Sequence, residues 1–194
     1  MTTAQALHFS TPDDSEELAR AEVYGLLSQL FYAPPSAELY SQLQVAATVA
    51  PAPGAFLESS WTELVAASRR RSREQVADEY DALFLGIGKP EVFLYGSHHI
   101  AGALNEKPLV ALRDTLAALG LARSQAMAET EDHIAYLCEA MRFLIAGDDA
   151  AVCNLASQQR LFNAHLRTWS DTMWEQIAGH PAGDFYRALA LFAQ

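Results

Sequence analysis

The sequence predicts an all-α fold, a single compact helical bundle domain of about seven to nine helices that spans residues 1–194. Strand signals are scarce, because β-branched residues are few and no alternation of apolar and polar residues persists for six positions. Helical signals recur along the chain as apolar residues spaced by three or four positions. The length of 194 residues fits one core, since single domains run to roughly 100–200 residues.

Capping residues and prolines predict where the helices of the first half begin and end. A Ser, Thr, Asn or Asp side chain accepts a hydrogen bond from the first turn of a helix, and proline is tolerated only at its start. Thr11 with Pro12 therefore predicts the start of the first helix, and residues 1–11 are expected to be disordered. The remaining predicted stops and caps are Pro34-Pro35, Ser36 and Ser72.

A loop-rich insert over residues 87–105 separates the predicted helices of the two halves. Gly86 and Gly88 break the helical pattern, yet the segment after them carries the apolar run 92–95, VFLY. An apolar loop of this kind must be covered by the fold or by a partner. Helical patterns resume over 106–120, 134–145, 162–177 and 182–193. The aromatic residues predicted to lie in the core of the later helices are Phe162, Trp169 and Trp174.

The charge balance excludes one class of partner. The chain has 13 Lys plus Arg against 24 Asp plus Glu, a formal net charge of -11. Binding of nucleic acid needs clustered Lys and Arg for phosphate contacts, so we expect no nucleic-acid partner. An acidic protein instead favours a cationic partner.

Targeting and membrane signals are absent from the sequence. The N-terminal residues MTTAQALHFSTPDD lack the basic and apolar regions of a signal peptide, and no stretch approaches the ~20 apolar residues of a membrane span. Two cysteines, Cys138 and Cys153, are too few for a disulfide framework and fit a reducing compartment. We therefore expect a cytoplasmic protein with no stable membrane insertion.

The histidine pair His98-His99 is followed at a distance by Asp132-His133, and this set invites comparison with a metal site because imidazole and carboxylate suit zinc or iron. Adjacent histidines rarely chelate one ion together, and the sequence contains no H-E-x-x-H or E-x-x-H pair. A nucleophile elbow, a phosphate-binding glycine pattern and a Cys/His/Asn set are also missing. The sequence therefore predicts no metal, no cofactor and no enzymatic activity.

The segment from Glu129 to His133 opens the helix over 134–145 and combines three acids with a histidine. Acids in the first turn of a helix stabilise it by complementing the helix dipole. This effect alone is enough to explain the three acids as structural residues. His133 lies on the flank shared with Tyr136, where a cation is disfavoured beside a helix N-terminus unless a carboxylate compensates it. Two interpretations remain open at this point. Asp132 and His133 form a functional pair, or they only mark the start of a helix.

Five short motifs follow one another between residues 83 and 133. They are an L-F-x-G-x-G element at 83–88, an aromatic-Gly-Ser step at 95–97, a Leu-x-x-Leu-Arg run at 109–113, a Gly-Leu turn at 120–121 and an E-x-x-D-H helix start at 129–133. In this order and spacing they resemble the TorD/DmsD family of redox-enzyme maturation chaperones, related more distantly to the NarJ group. The resemblance covers roughly residues 20–193 and includes the C-terminal run at 162–169.

The resemblance implies an all-helical chaperone without enzymatic activity. Such proteins bind the twin-arginine signal peptide, and often the apo form, of a molybdenum-cofactor oxidoreductase in the cytoplasm. They hold the client back from export until its cofactor is inserted. Members also exchange helices between protomers, so the resemblance allows a monomer or a domain-swapped homodimer with residues 146–149 as the hinge.

The resemblance also implies where a signal peptide binds. Asp132 and Glu129 are expected to receive an arginine, while His133 orients Asp132 or donates to a peptide carbonyl. The apolar loop is expected to contact the apolar part of the peptide. The full set of expected binding residues is Phe84, Leu94, Tyr95, Gly96, Ser97, His99, Glu129, Asp132, His133 and Tyr136.

Two interpretations from other classes remain open on the sequence. The first is a metal- or nucleotide-dependent helical enzyme, which a stoichiometric metal in the purified protein would favour. The second is a self-associating helical scaffold without a client, in which the apolar loop is only a surface for oligomerisation.

Overall fold

The computed structural model describes residues 15–48, 57–86, 88–123 and 128–194, and these residues form ten α-helices and no β-strand. The helices are α1 (Ser15–Tyr32), α2 (Ala37–Val45), α3 (Glu58–Arg70), α4 (Arg73–Tyr80), α5 (Gly96–Ala101), α6 (Lys107–Ala118), α7 (Ile134–Ala146), α8 (Leu155–Leu161), α9 (Ser170–Gly179) and α10 (Phe185–Ala193). The predicted all-α class is confirmed. The predicted start at Thr11 and the predicted disorder of residues 1–11 lie outside the described residues.

The ten helices exceed the predicted seven to nine, and two of them, α5 and α8, lie outside the predicted helical patterns. Nine of the ten helices have seven or more residues, and the exception is α5 with six. Helix α5 lies within the segment 87–105 that the sequence predicts to be loop-rich. Its first residue is Gly96, and the residue before it, Tyr95, provides no side-chain cap, so the local sequence carries no helix-start signal.

The predicted caps at Ser36 and Ser72 are confirmed. Ser36 Oγ accepts a hydrogen bond from the amide of Leu39 at 3.1 Å in the first turn of α2. Ser72 Oγ accepts from the amide of Gln75 at 3.2 Å, and the Gln75 side chain accepts from the Ser72 amide at 2.9 Å. This reciprocal capping box fixes the start of α4.

The helices belong to two compact units, of which the first contains Ala33–Val92 and Trp174–Gln194. In this unit α10 packs against α3 and α4, and the rings of Trp61 and Phe192 lie 5.5 Å apart. The carboxylate of Glu79 on α4 is buried and accepts hydrogen bonds from the amides of Asp184, Phe185 and Tyr186 at 2.9, 3.1 and 2.7 Å. A side chain of α4 therefore caps the start of α10, a helix whose own N-cap residue makes no such bond.

The second unit contains residues 15–32 and Phe93–Met173, and its centre is the pairing of α1 with α7. The buried faces of these two helices carry Leu26, Leu30, Leu137 and Met141. Cys138 is also buried in this face, as predicted, and burial raises the pKa of its thiol well above the usual value.

The prediction that Phe162 lies in the core is wrong, whereas Trp169 and Trp174 are buried as predicted. Phe162 is 38% exposed and begins a π-helical turn over Phe162–Leu166. A π-turn adds one residue to the helical repeat, so the buried positions shift from a spacing of four to a spacing of five. Leu161 and Leu166 take the core positions on either side of this turn.

None of the helices within the described ranges is both long and apolar enough to cross a lipid bilayer.

Candidate functional site

Nine of the ten expected binding residues lie in the second unit, and they divide by exposure into two groups. The partly exposed residues are Tyr95, His99, Glu129 and Tyr136. The buried ones are Leu94, Gly96, Ser97, Asp132 and His133. The first group presents side-chain surface to a ligand, whereas the side chains of the second group are almost inaccessible.

Phe84, the tenth residue, lies in the first unit and is 7% exposed. Its ring packs edge-on against Tyr80 and Tyr186, with both centroid distances equal to 5.1 Å. It lies in the π-helical turn over Asp81–Leu85, the L-F part of the first sequence motif. In this conformation Phe84 is a core residue of the first unit.

Two segments distant in sequence pair through their backbones at the centre of the site. Tyr95 and His133 form an antiparallel bridge, the one isolated bridge found among the described residues. The Gly96 amide donates to the Asp132 carbonyl at 3.0 Å, and the Ile134 amide donates to the Leu94 carbonyl at 2.8 Å. The apolar loop and the E-x-x-D-H helix start are therefore joined directly.

Asp132 is 3% exposed, and both of its carboxylate oxygens are engaged. Oδ2 accepts from the Ser97 amide at 2.8 Å, in the first turn of α5, and Oδ1 accepts from the Thr130 hydroxyl at 2.7 Å. Because α5 has no side-chain cap of its own, the carboxylate of Asp132 supplies the missing acceptor from another segment. The sequence expectation that Asp132 receives an arginine would require a guanidinium to reach a carboxylate that the fold leaves almost inaccessible.

His133 is the N-cap residue of α7 and is 4% exposed. Its Nδ1 accepts from the Ala135 amide at 3.2 Å. Burial lowers the pKa of the imidazole to about 4, although the carboxylates of Glu129 and Asp132 act in the opposite direction. The ring is therefore neutral at pH 7, with its proton assigned to Nε2, and no cation opposes the helix dipole.

Three of the partly exposed residues, Tyr95, Glu129 and Tyr136, form an acidic and aromatic surface together with the exposed Tyr32, and we call this surface the Glu129 patch. The Tyr95 hydroxyl donates to Oε2 of Glu129, and the Tyr95 ring packs edge-on against His133 at 4.9 Å. The rings of Tyr32 and Tyr136 lie 5.8 Å apart. This patch combines a carboxylate with several aromatic faces, the two kinds of group that bind a guanidinium.

The neighbouring acid, Glu131, is already paired. Its Oε2 accepts from Nε and Nη2 of Arg113 at 3.0 and 2.8 Å. Burial raises the pKa of this carboxyl, but the hydrogen bond from Arg113, a backbone hydrogen bond and the charges of Arg113 and Arg123 together outweigh burial, so the pKa lies below its usual value. Glu129 is therefore the acid of this segment best able to accept a new cation.

A small cleft lies between α5, α6 and the π-turn of the second unit. Its lining is formed by Gly96, Ser97, Ile100, Pro108, Leu112, Asp132, His165 and Trp169. Ser97 Oγ, fully buried, has no hydrogen-bond partner within the part of the chain that is described. The Gly96 position has no room for a side chain, because an added Cβ would lie 2.9 Å from Nε1 of Trp169.

His99 packs against Trp169, a residue that lines this cleft, and is not arranged as a metal ligand. Its ring stacks on Trp169 with centroids 5.3 Å apart, and its Nε2 lies 2.7 Å from the Phe93 carbonyl oxygen. Burial lowers the pKa of His99. Across the described ranges, no three His, Cys, Asp or Glu side chains are grouped so that they could hold a metal ion.

Comparison with known proteins assigns the family. Residues 51–175, more than half of the chain, match the family model described as "Nitrate reductase delta subunit". The chain is 28% identical over 190 residues to the protein named "Chaperone protein TorD" in a Classical Ogawa strain of Vibrio cholerae serotype O1, covering 90% of this chain and 86% of that protein. A relative of the same name from an El Tor Inaba strain is 27% identical over the same shares.

The chain belongs to the nitrate reductase delta subunit family, in which the TorD and NarJ groups are joined. It is a chaperone of redox-enzyme maturation, a class of proteins that are not enzymes. The resemblance found from the five sequence motifs is thereby confirmed.

Proposed function

We propose that this chaperone binds the twin-arginine signal peptide of a molybdenum-cofactor oxidoreductase in the cytoplasm and retains the apo-enzyme until its cofactor is inserted. Family membership and the name of the TorD relatives support the class of client. The observation that carries the peptide part is the Glu129 carboxylate, which is partly exposed and oriented by the Tyr95 hydroxyl.

Glu129 receives an arginine of the peptide. A carboxylate offers about four acceptor positions, and the Tyr95 hydroxyl uses one of them, so a guanidinium can still pair with the remaining positions. Arginine also stacks on aromatic faces, which Tyr95 and Tyr136 supply beside the carboxylate. The net charge of -11 adds a long-range attraction for a basic peptide.

The apolar run of the peptide follows the arginines onto the cleft beside α5. Ile100, which is 47% exposed, stands at the rim of this cleft, and Pro108 and Leu112 belong to its lining. Asp132 and Ser97 line the cleft and also belong to the segments that carry Glu129 and Tyr95. A peptide that is basic in one stretch and apolar in the next needs one acidic and one apolar contact, which Glu129 and the side chains of Ile100 and Pro108 provide.

Calorimetric titration with synthetic signal peptides of molybdenum-cofactor oxidoreductases tests this proposal. We expect saturable binding of at least one peptide and a loss of at least about tenfold in affinity when its two arginines are replaced by alanine, since charge-assisted bonds are the strong ones. Glu129→Gln should weaken the native peptide to a similar extent. Glu22→Gln on α1, which removes the same charge from an exposed position, should leave the affinity unchanged.

Three results would contradict the proposal. The first is that no peptide binds, which would leave the apo-enzyme body or self-association as the role of this surface. The second is equal binding of the native peptide and the double-alanine peptide. The third is equal weakening by Glu129→Gln and Glu22→Gln, which would reduce the effect of Glu129 to net charge alone.

A further inference from the structure

We infer that Asp132 and His133 do not contact the arginines of the client peptide and instead position the Glu129 patch by capping two helices. This inference rests on the proposed function, since it assigns roles within the same binding site. Its basis is the geometry of the acid–histidine pair: two adjacent residues, both nearly inaccessible, each bonded to the first turn of a different helix.

The Asp132 carboxylate joins the two segments that carry the exposed groups. Through Oδ2 it holds the Ser97 amide at the start of α5, two residues after Tyr95. Through Oδ1 it holds the Thr130 hydroxyl, one residue after Glu129. The Tyr95 hydroxyl can meet the Glu129 carboxylate only while these segments stay in register, and Asp132 is the side chain bonded to both.

His133 performs the same task for α7. Its Nδ1 is an acceptor for the Ala135 amide, so the ring replaces the Asn, Asp or Ser side chain that more often occupies a helix N-cap. The backbone of His133 pairs with Tyr95 in the antiparallel bridge, and the two rings meet edge to face. The position of Tyr95 therefore depends chiefly on the backbone of His133, which the cap on the Ala135 amide holds in place.

Asparagine distinguishes capping from direct recognition at both positions. Asn is as good an N-cap as Asp, because its amide oxygen accepts a backbone N–H. In Asp132→Asn the oxygen can still accept from the Ser97 amide, while the amide group donates to Thr130, whose hydroxyl can accept as well as donate. The negative charge that an arginine would need is absent. In His133→Asn the cap persists, and the Nε2 proton that could reach a peptide carbonyl is absent.

The test compares peptide affinities of Asp132→Asn, Asp132→Ala, His133→Asn and His133→Ala, titrated with the twin-arginine peptide that the wild-type protein binds. We expect both Asn variants to bind within about threefold of wild type and both Ala variants to lose at least about fivefold, because an uncapped helix start no longer holds the Glu129 patch in place. Amide hydrogen exchange provides a direct readout of the cap. Protection of the Ser97 amide should persist in Asp132→Asn and fall in Asp132→Ala.

Glu79→Ala is the matched control for a general loss of stability. Glu79 also caps a helix from a distant segment, at the start of α10 in the first unit, and belongs to no part of the Glu129 patch. Measured below the unfolding transition, this variant should bind the peptide as the wild type does. If it loses as much affinity as Asp132→Ala, the effect is one of overall stability and the positioning role is overturned.

The remaining outcomes separate this inference from the proposed function. One outcome is that the wild-type protein binds a twin-arginine peptide, while Asp132→Asn binds it as weakly as Asp132→Ala does and still protects its Ser97 amide from exchange. That outcome would show that the Asp132 carboxylate contacts the peptide directly. In that case the capping role is overturned and the proposed function stands. If the wild-type protein binds no such peptide, both fall together.

Discussion

The carboxylate of Asp132 lies 2.8 Å from the amide of Ser97, a contact that spans 35 residues of sequence and joins the helix start at α7 to the helix start at α5. The equivalent contact in the first unit is made by Glu79, which accepts from three amides at the start of α10. Both units therefore depend on a buried acid that caps a helix belonging to another segment. Such caps satisfy orphan amides that would otherwise be buried without a partner.

Replacement of Glu79 by alanine should destabilise the protein strongly. Three amide donors lose their acceptor, and an unsatisfied buried donor costs about 1–3 kcal/mol, so a loss of at least about 3 kcal/mol in the free energy of unfolding is expected. Urea denaturation measures this loss. Asp78→Ala, at an exposed position of the same helix, should change the free energy by less than about 0.5 kcal/mol. Equal effects of the two substitutions would show that the cap is dispensable.

Acidification should destabilise the second unit through His133. Its pKa is 6.5 in a model peptide and about 4 in the folded protein, so the unfolded chain takes up the proton more readily between these values. The contribution of His133 to the free energy of unfolding is therefore fully present above pH 6.5. It falls as the pH is lowered toward 4, by about 2 kcal/mol at pH 5. Urea denaturation at pH 7 and pH 5 measures the change.

His133→Asn isolates this contribution. His99 and His165 also have lowered pKa values caused by burial, and they add a change of the same sign in both proteins. The difference in pH dependence between wild type and variant therefore reports His133 alone. A variant that loses as much stability between pH 7 and pH 5 as the wild type would contradict a neutral, buried His133.

Gly96→Ala should disturb the packing of Trp169. The added Cβ would lie 2.9 Å from Nε1 and 3.0 Å from Cε2 of an indole that is buried and stacked on His99. Overpacking of this kind costs about 1–3 kcal/mol of stability, and the tryptophan emission should shift as the indole moves. At Gly179 nothing lies within 4 Å of an added Cβ, so Gly179→Ala should be neutral or stabilising by up to about 1 kcal/mol. A Gly96→Ala protein as stable as the Gly179→Ala protein would refute the close contact.

The elements that could be predicted from the sequence are those whose causes are local. Ser36 and Ser72 cap their helices because each acceptor lies three residues before its donor, within the reach of a sequence pattern. The burial of Cys138 follows from helical spacing in the same way. The family motifs of residues 83–133 likewise identified the class of protein, since they depend on order along the chain.

Three features could not be predicted, and each has a distant or geometric cause. Helix α5 was missed because its cap comes from Asp132, 35 residues away. Phe162 was misplaced because a π-turn changes the helical repeat, and no residue type signals such a turn. For the candidate site, Glu129 and Tyr95 stay predicted binding residues. Their position beside the buried Asp132 could not be predicted, because it depends on the backbone bridge between Tyr95 and His133.

A double-mutant cycle between Glu129 and the peptide arginines tests the central claim most directly. Calorimetry gives the affinities of wild type and Glu129→Gln for the native peptide and for peptides with either arginine replaced by alanine. If Glu129 receives an arginine, one replacement should be coupled to Glu129→Gln by about 1 kcal/mol or more, while the same peptides should show additive effects with Glu22→Gln. Additive effects at Glu129 for both arginines would contradict direct pairing and would remove Glu129 from the binding site.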